Sequence, residues 1–262
     1  MKLPTEPNGF PDSNTVIGVE QVSVKYFVPR EHVSTFKEYA IRKIQRRIQN
    51  DVFWALKDVS FEIKKGEVFG LIGANGAGKS TLLKLIARVL KPTQGRVWVR
   101  GRIAPLLAMG AGFHPELSGR ENVFLNGTLL GYSHKQIRNR FEAIVEFAEL
   151  QNFIDAPLRT YSSGMTARLG FSVATDQMPD VLIVDEALAV GDAAFREKSL
   201  ERIREFQRNG ATTLYVTHSM GEVENTCDRA AWLDHGHLRF VGNTKEAVDL
   251  YLNRVPAGVS YS

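Results

Sequence analysis

The sequence contains a single cysteine, Cys227, among its 262 residues. One cysteine can form no disulfide within the chain and can build no cysteine-rich zinc site. We expect Cys227 to be a buried, reduced thiol, as isolated cysteines usually are. The fold must then be held by a hydrophobic core, and a chain of this length with 44% apolar residues is large enough to bury one.

The sequence also lacks an apolar run of the roughly 18 residues that a membrane-spanning helix requires. Its longest charge-free candidate, residues 103–113, is interrupted by Pro105, Gly110 and Gly112. The first 13 residues are polar and rich in proline, which is not typical of a secretory signal. The net charge of +4 is small, and no nucleic-acid partner is expected from it. Any membrane role is therefore expected to depend on a partner subunit or on surface attachment.

Residues 73–80, GANGAGKS, match the complete phosphate-binding pattern G-x-x-x-x-G-K-[ST]. A strand-type apolar run precedes them and helical spacing follows, which is the context that this motif requires. The glycines let backbone N–H groups turn toward an anion, and the helix N-terminus adds its positive dipole end. We expect Lys79 to reach the β- and γ-phosphates and Ser80 to bind Mg²⁺. The predicted nucleotide contacts are Gly73, Ala74, Asn75, Gly76, Ala77, Gly78, Lys79, Ser80 and Thr81.

Two acids follow a second strand-type run, residues 181–184. A buried parallel strand that ends in carboxylates delivers them to the edge of the sheet where the phosphate loop also lies. Asp185 is predicted to bind Mg²⁺, directly or through water. Glu186 is predicted to orient or deprotonate the attacking water.

Strand-type runs alternate with helical spacing along most of the chain, which predicts an α/β fold with a mostly parallel sheet covered on both faces. We predict strands near residues 16–24, 59–63, 68–72, 97–99, 181–184, 212–217, 230–233 and 238–241, the last two as a hairpin. We predict helices near residues 81–87, 117–150 with a break at 131–133, 163–177, 193–208 and 244–253. The expected organisation is a flexible lead (1–14), one domain (15–255) and a tail (256–262).

A basic amphipathic helix is predicted between the first two strands, over residues 27–53. Ile41, Ile44 and Ile48 form an apolar stripe at helical spacing. Two interpretations stay open: the stripe packs on the domain itself, or the helix lies against phospholipid headgroups or a membrane subunit. The basic residues of this segment are Arg30, Lys37, Arg42, Lys43, Arg46 and Arg47.

The order of these motifs resembles that of the nucleotide-binding subunit of ATP-binding-cassette (ABC) transporters, over roughly residues 16–245. The family signature reads Leu-Ser-Gly-Gly-Gln, and this chain matches it at Ser162 and Gly164 and departs from it elsewhere. The further segments that fit the family's order are Tyr161–Met165, Ala189–Asp192 and His218.

The resemblance implies a phosphate-loop ATPase domain with a mostly parallel core sheet, an antiparallel β subdomain and a helical subdomain over about residues 115–178. It implies ATP and Mg²⁺ as cofactors, and a homodimer whose two copies pair head to tail around two ATP molecules. The catalytic residues that it implies are Lys79, Glu186 and His218. The residues that it implies at the ATP site of the opposite copy are Ser162, Ser163, Gly164 and Asp192.

An aromatic residue is expected to stack on the adenine, because base–aromatic stacking contributes about 1–3 kcal/mol. Tyr26 follows the first predicted strand, where the family carries its stacking aromatic. Trp54 is the alternative, because the insertion between the first two strands obscures the alignment.

One feature of the family is missing from the sequence. The family has a glutamine loop about a dozen residues before the position of Glu121, but no glutamine occurs between Gln94 and Gln136. Met109 falls near the expected position. The residue that usually binds Mg²⁺ and belongs to the transmission loop of the family is therefore unassigned in this sequence.

Several segments look like the ATPase subunits of bacterial polysaccharide exporters, which move O-antigen, galactan, capsule or teichoic acid chains. They are the basic insertion, Gly110–Asn122, Tyr161–Met165 and Glu186–Asp192. This resemblance implies two integral-membrane permease subunits as partners, a lipid-linked polysaccharide as substrate, and a position at the cytoplasmic face of the inner membrane. The alternatives are an importer, a drug or lipid exporter, or a soluble ABC ATPase. A phosphate-loop kinase would leave Ser162 and His218 unexplained.

Overall fold

The computed structural model describes residues 12–29, 50–106, 110, 112–185, 191–217 and 219–254. The strands are β1 (Thr15–Pro29), β2 (Asn50–Lys64), β3 (Val68–Ile72), β4 (Gln94–Val99), β5 (Ile103–Pro105), β6 (Val181–Asp185), β7 (Thr212–Val216), β8 (Arg229–Asp234) and β9 (His237–Asn243). The helices are α1 (Lys79–Ile86), α2 (Gly119–Leu129), α3 (His134–Ala148), α4 (Ser163–Ala174), α5 (Ala193–Arg208), α6 (Met220–Thr226) and α7 (Thr244–Arg254), with a 3-10 turn at Leu158–Thr160.

The central sheet has six strands in the order β5-β6-β7-β3-β8-β9. All neighbouring strands are parallel except β8 and β9, which form the predicted hairpin. The mostly parallel core sheet is thus confirmed. Its inner strands are nearly continuous apolar runs because both faces are covered: α1 and strands of a second sheet pack on one face, and α4, α5 and α7 pack on the other. The sequence did not predict β5, a three-residue strand that pairs with β6 from Ile103 opposite Val181.

A second, antiparallel sheet has the order β2-β1-β4, with β4 at the predicted edge. Its first two strands are longer than predicted and pair as far as Pro29 opposite Asn50. Residues 27–29 and 50–53 are therefore strand, and the predicted 27–53 helix is wrong at both ends. The physical reason is cross-strand pairing of aromatic and β-branched side chains, which the sequence pattern did not reveal: Tyr26 lies opposite Phe53 and Phe27 opposite Val52.

Several predicted segments lie outside the described residues. They include residues 30–49 with the basic side chains and isoleucines of the predicted helix, most of the predicted N-terminal lead, and the tail. None of the helices in the described part of the chain has the length and hydrophobicity of a membrane span.

Helices α2, α3 and α4 pack around a separate apolar cluster that includes Val123, Phe141 and Leu169. The predicted break at 131–133 is confirmed, and the helices on either side of it each begin with a capping box at Ser118 and Ser133. Helix α4 ends at Ala174, three residues earlier than predicted. The carbonyl of the next residue, Thr175, accepts a hydrogen bond from Arg202 of α5 at 2.9 Å instead of continuing the helix.

Cys227 is buried under β3 and β8, beside Ile72, Val223 and Trp232. Burial raises the pKa of its thiol to about 12. The expected buried thiol is confirmed. It is not nucleophilic at neutral pH, because the thiolate is the reactive form.

Candidate functional site

The phosphate loop joins the end of β3 to the start of α1. Three of its glycines have positive φ: 148° at Gly73, 79° at Gly76 and 107° at Gly78, the residue that precedes the helix. Because a side chain strongly disfavours this backbone region, the glycines permit the loop's path. Asn75, Gly76 and Ser80 are exposed along the loop, so a ligand can reach them.

The loop rests on the turn between β8 and β9 and on strand β2. The Gly236 N–H donates to the Ala77 carbonyl at 2.9 Å, and the Lys57 N–H donates to the Gly236 carbonyl at 2.8 Å. A Cβ atom at Gly78 would lie 2.7 Å from the Ala55 carbonyl oxygen, whereas one at Gly76 would meet nothing within 4 Å. The back of the loop is therefore tightly packed and its outer side is open.

This difference predicts that two matched substitutions lower the free energy of unfolding by unequal amounts. Gly76→Ala should lower the free energy of unfolding by about 1–2 kcal/mol, since only the left-handed backbone is strained. Gly78→Ala should cost roughly 1–3 kcal/mol more, because the methyl group collides with backbone. Urea unfolding without nucleotide measures both changes. Equal losses for the two variants would contradict this packing.

Lys79 starts α1 and turns back over the loop. Its Nζ donates to the carbonyl oxygens of Gly73 at 2.6 Å and Ala74 at 3.1 Å, and the residue is 8% exposed. The ammonium group is thus held at the loop itself. This is where a cation would meet the terminal phosphates of a nucleotide whose phosphates follow the loop.

Asp185 lies at the carboxyl end of β6, at the same edge of the sheet as the phosphate loop. Strand β7 separates β6 from β3, and its Val216 is in register with both Asp185 and Leu71. Strands lie about 4.8 Å apart, so the Asp185 backbone is roughly 10 Å from that of Leu71, two residues before the loop.

A magnesium ion fits the oxygen donors at this edge. Mg²⁺ prefers hydroxyl, carboxylate and phosphate oxygens, and Ser80 and Asp185 offer the first two kinds. The described residues contain no cluster of three or more His, Cys, Asp or Glu side chains that would form an all-protein metal cage. Two protein oxygens would leave the remaining octahedral positions of such an ion to phosphate and water oxygens.

Glu186, His218 and Met109 lie outside the described residues, but the chain on both sides of His218 is described. The Thr217 hydroxyl donates to a Glu222 carboxylate oxygen at 3.2 Å and accepts from the Ser219 N–H at 3.1 Å. Ser219 caps α6, a helix that we did not predict from the sequence. Ser219 and Glu222 lie three residues apart, which is the spacing of a capping box and a sequence signal for the start of this helix. The sequence did not lead us to predict a role for Glu222. Its hydrogen bond with Thr217 holds the residue that precedes His218 in place.

The signature segment opens α4. The Ser162 hydroxyl accepts from the Met165 N–H at 3.2 Å and caps the helix, while Ser162 and Ser163 are exposed and Gly164 is partly exposed. A helix N-terminus with exposed serine side chains beside it suits an anion.

Asp192 caps α5 by accepting from the Phe195 N–H at 2.9 Å, and it forms an ion pair with Arg168 of α4. The hydrogen bond from Phe195 and the charge of Arg168 lower the pKa of the Asp192 carboxyl. The sequence predicted a nucleotide or dimer contact here. The structure adds the ion pair between Arg168 and Asp192 of the same chain, which the sequence did not predict.

The two candidate adenine-stacking rings lie on opposite faces of the β1–β2 pair. Lys25 lies 5.9 Å from the ring centroid of Trp54, on one face. Tyr26 shares the other face with Val24, which is in register with Leu56. The Leu56 side chain would lie 2.8 Å from a Cβ at Gly78 in the phosphate loop. This geometry favours Tyr26, which is 39% exposed, although adenine contact stays a prediction.

A family model described as ABC transporter matches residues 56–189. The O-antigen export system ATP-binding protein RfbB of Klebsiella pneumoniae is 54% identical over 199 residues, which cover 76% of this chain and 81% of that protein. The teichoic acids export ATP-binding protein TagH of Listeria innocua is 41% identical over 238 residues, 91% of this chain and 70% of that protein.

Two solved structures share the fold. An ATP-binding subunit of an ABC transporter has a TM-score of 0.68 at 24% identity, covering 94% of this chain and 96% of that one. A dimeric post-hydrolysis state of the ATP-binding cassette MJ0796, bound to ADP and Pi, has a TM-score of 0.65 at 22% identity, covering 87% of this chain and 98% of that one. Together with the phosphate loop and the strand that ends at Asp185, these matches show that the chain belongs to the ABC transporter family and is one of its ATPase domains.

Proposed function

We propose that the chain is the ATP-hydrolysing motor of a bacterial exporter for a lipid-linked polysaccharide of the O-antigen, galactan, capsule or teichoic acid type. The observation that best supports ATP hydrolysis is the phosphate loop. Lys79 is held against this loop, and Asp185 lies at the same edge of the sheet. Ser80 and Asp185 would hold Mg²⁺, which would neutralise charge on the phosphate oxygens. Backbone N–H groups of the loop orient the phosphates, and Tyr26 stacks on the adenine.

Hydrolysis needs a group that activates water. We assign this role to Glu186, which directly follows the carboxyl end of β6, and a contact to the γ-phosphate to His218. The hydrogen bonds of Thr217 and Ser219 support the second assignment, because they hold the chain on either side of His218. A histidine held in place by its neighbours can contact the γ-phosphate when ATP is bound and loses that contact when the γ-phosphate leaves.

Two copies of the chain form the working unit, head to tail. Ser162, Ser163 and Gly164 at the start of α4 contact the ATP that is bound on the phosphate loop of the other copy. Their accessibility and the helix N-terminus support this role, since both suit a phosphate group supplied from outside the chain. Asp192 lies in the same pairing surface.

Membrane attachment is through two integral-membrane permease subunits at the cytoplasmic face of the inner membrane. The relatives named above are the ATP-binding proteins of O-antigen and teichoic acid export systems, and their names support a polymer as substrate. The basic residues between β1 and β2 support contact with the cytosolic membrane surface, because anionic headgroups attract clustered lysine and arginine.

Gene replacement in the source bacterium tests the export function. A strain without the protein should accumulate lipid-linked polysaccharide inside the cell and lose it from the surface. The wild-type gene should restore surface polymer, whereas Glu186→Gln, produced at the same level, should not. Normal surface polymer in the deletion strain, together with loss of uptake or efflux of another compound, would contradict polysaccharide export and favour another ABC substrate.

A further inference from the structure

Three Asn-Gly pairs lie in the described part of the chain: Asn75–Gly76, Asn126–Gly127 and Asn209–Gly210. An asparagine that precedes glycine can lose its side-chain amide, because the glycine nitrogen can attack the asparagine side-chain carbon and no Cβ hinders its approach. The reaction needs a backbone that can rearrange and an amide nitrogen that is accessible. The three pairs differ in both respects.

Helices restrain two of the three pairs. Gly127 lies inside α2, where its backbone is in the helical hydrogen-bond pattern, and Asn126 is only 8% exposed. At the end of α5, the Gly210 N–H donates to the Gln207 carbonyl oxygen at 2.9 Å. A hydrogen-bonded nitrogen in a fixed backbone is a poor nucleophile, so both pairs should react slowly while the helices are intact.

The Asn75–Gly76 pair forms the outer turn of the phosphate loop. The Ala77 N–H donates to the Ala74 carbonyl oxygen at 3.1 Å, so Asn75 and Gly76 are the two central residues of a turn. Both are exposed, and a Cβ at Gly76 would meet nothing within 4 Å. No described residue accepts a hydrogen bond from the Gly76 N–H. This pair therefore has both an accessible nitrogen and room to rearrange.

We propose that Asn75 is a modification site at which loss of ammonia inactivates the phosphate loop. The Gly76 nitrogen gives its proton to base and attacks the side-chain carbonyl carbon of Asn75. A new C–N bond closes a cyclic imide, the bond to the side-chain nitrogen breaks, and that nitrogen leaves as ammonia. Water then adds to either carbonyl of the imide, and the products are aspartate and isoaspartate at position 75. Water is the only co-reactant.

Both products are unfavourable for a phosphate site. Aspartate adds a negative charge to a loop that binds anions through its N–H groups. Isoaspartate routes the main chain through the side chain and lengthens it by a methylene group between Gly73 and Gly78. Both glycines are closely packed: a Cβ at Gly73 would lie 2.3 Å from a carbonyl oxygen of β8, and one at Gly78 would lie 2.7 Å from a carbonyl oxygen of β2. A longer chain between these fixed points must move the N–H groups away from the phosphates.

Bound nucleotide should protect Asn75. This step rests on the proposed function, in which the N–H groups of the loop hold the phosphates of ATP. A phosphate oxygen that accepts these N–H groups lowers the reactivity of the Gly76 nitrogen and holds the turn in one conformation. The loop is therefore modified mainly in protein that has no nucleotide bound.

Incubation of the purified full chain at mildly alkaline pH, with and without Mg-ADP, tests the proposal. Peptide mass spectrometry follows conversion of Asn75, Asn126 and Asn209, and a fluorescent ATP analogue measures binding in the same samples. We expect Asn75 to react first and binding to fall in proportion to its conversion. Mg-ADP at ten times its Kd should slow conversion of Asn75 about tenfold, because only about a tenth of the protein is then without nucleotide. Conversion of Asn209 should not change.

Two variants block the reaction in different ways. Gly76→Ala places a methyl group beside the attacking nitrogen, and Asn75→Ser removes the side-chain amide. Whatever binding each variant has at the start, it should keep during incubation. Gly210→Ala is the matched control, because Gly210 also has positive φ and open space around it, and this variant should lose binding as fast as wild type.

Faster conversion of Asn126 or Asn209 than of Asn75 would overturn the proposal, and so would full binding by protein converted at position 75. Equal rates with and without Mg-ADP, in protein that binds ADP, would overturn the protection by nucleotide. Freshly purified wild-type protein that binds no nucleotide would instead overturn the proposed function.

Discussion

Replacing Lys79 by alanine should lower the rate of ATP hydrolysis by roughly 10²–10³-fold, the usual effect of removing a preorganised donor to developing charge. The Lys79 ammonium is buried against the loop and donates hydrogen bonds to its Gly73 and Ala74 carbonyls. Without it, charge on the transferred phosphoryl group loses its stabilising partner. The loop also loses two of its own hydrogen bonds, so nucleotide affinity should fall as well.

Lys84→Ala is the matched control, because Lys84 lies on the same helix but is exposed. It should hydrolyse ATP at the wild-type rate. Steady-state hydrolysis and titration with a fluorescent ATP analogue distinguish loss of catalysis from loss of binding. Wild-type hydrolysis by Lys79→Ala would contradict the assignment of the phosphate site.

Replacing Glu186 by glutamine should reduce hydrolysis by roughly 10²–10⁴-fold, the range for loss of a positioned general base. The substitution keeps the size of the side chain and removes only its ability to accept a proton. ATP affinity should therefore stay close to that of the wild type. In this respect the variant differs from Lys79→Ala, which should weaken both steps.

Glu197→Gln controls for the change of charge, since Glu197 is an exposed acid on α5. Single-turnover hydrolysis of bound ATP measures the chemical step without product release. Comparable single-turnover rates in Glu186→Gln and wild type would show that another group activates the water. The missing glutamine of the family would then be the first feature to explain.

The backbone elements of the candidate nucleotide site were predictable because their signals are local. The glycines of residues 73–78, the apolar run before them and the helix after them are consecutive in sequence, and β3 has the predicted bounds. Asp185 was predictable for the same reason, since an apolar run that ends in an acid specifies a strand and its carboxyl end. The breaks between α2, α3 and α4 follow from short capping patterns.

Features that depend on distant pairing were not predictable. The ends of β1 and β2 are set by the pairing of Phe27 with Val52, and β5 exists because Ile103 lies beside Val181. No local pattern marks these partners. The contact of Arg168 with Asp192 likewise joins residues on separate helices, and spacing along the sequence carries no signal for it.

In the proposed dimer, ATP binds between the phosphate loop of one copy and the start of α4 of another. Size-exclusion chromatography of Glu186→Gln in Mg-ATP tests this arrangement. We expect a dimer that forms with ATP and not with ADP. Adding Ser162→Arg to the same protein should return it to a monomer that still binds ATP, because the added side chain blocks only the partner's site. A Glu186→Gln protein that binds ATP and stays monomeric, or a dimer that survives Ser162→Arg, would contradict this arrangement.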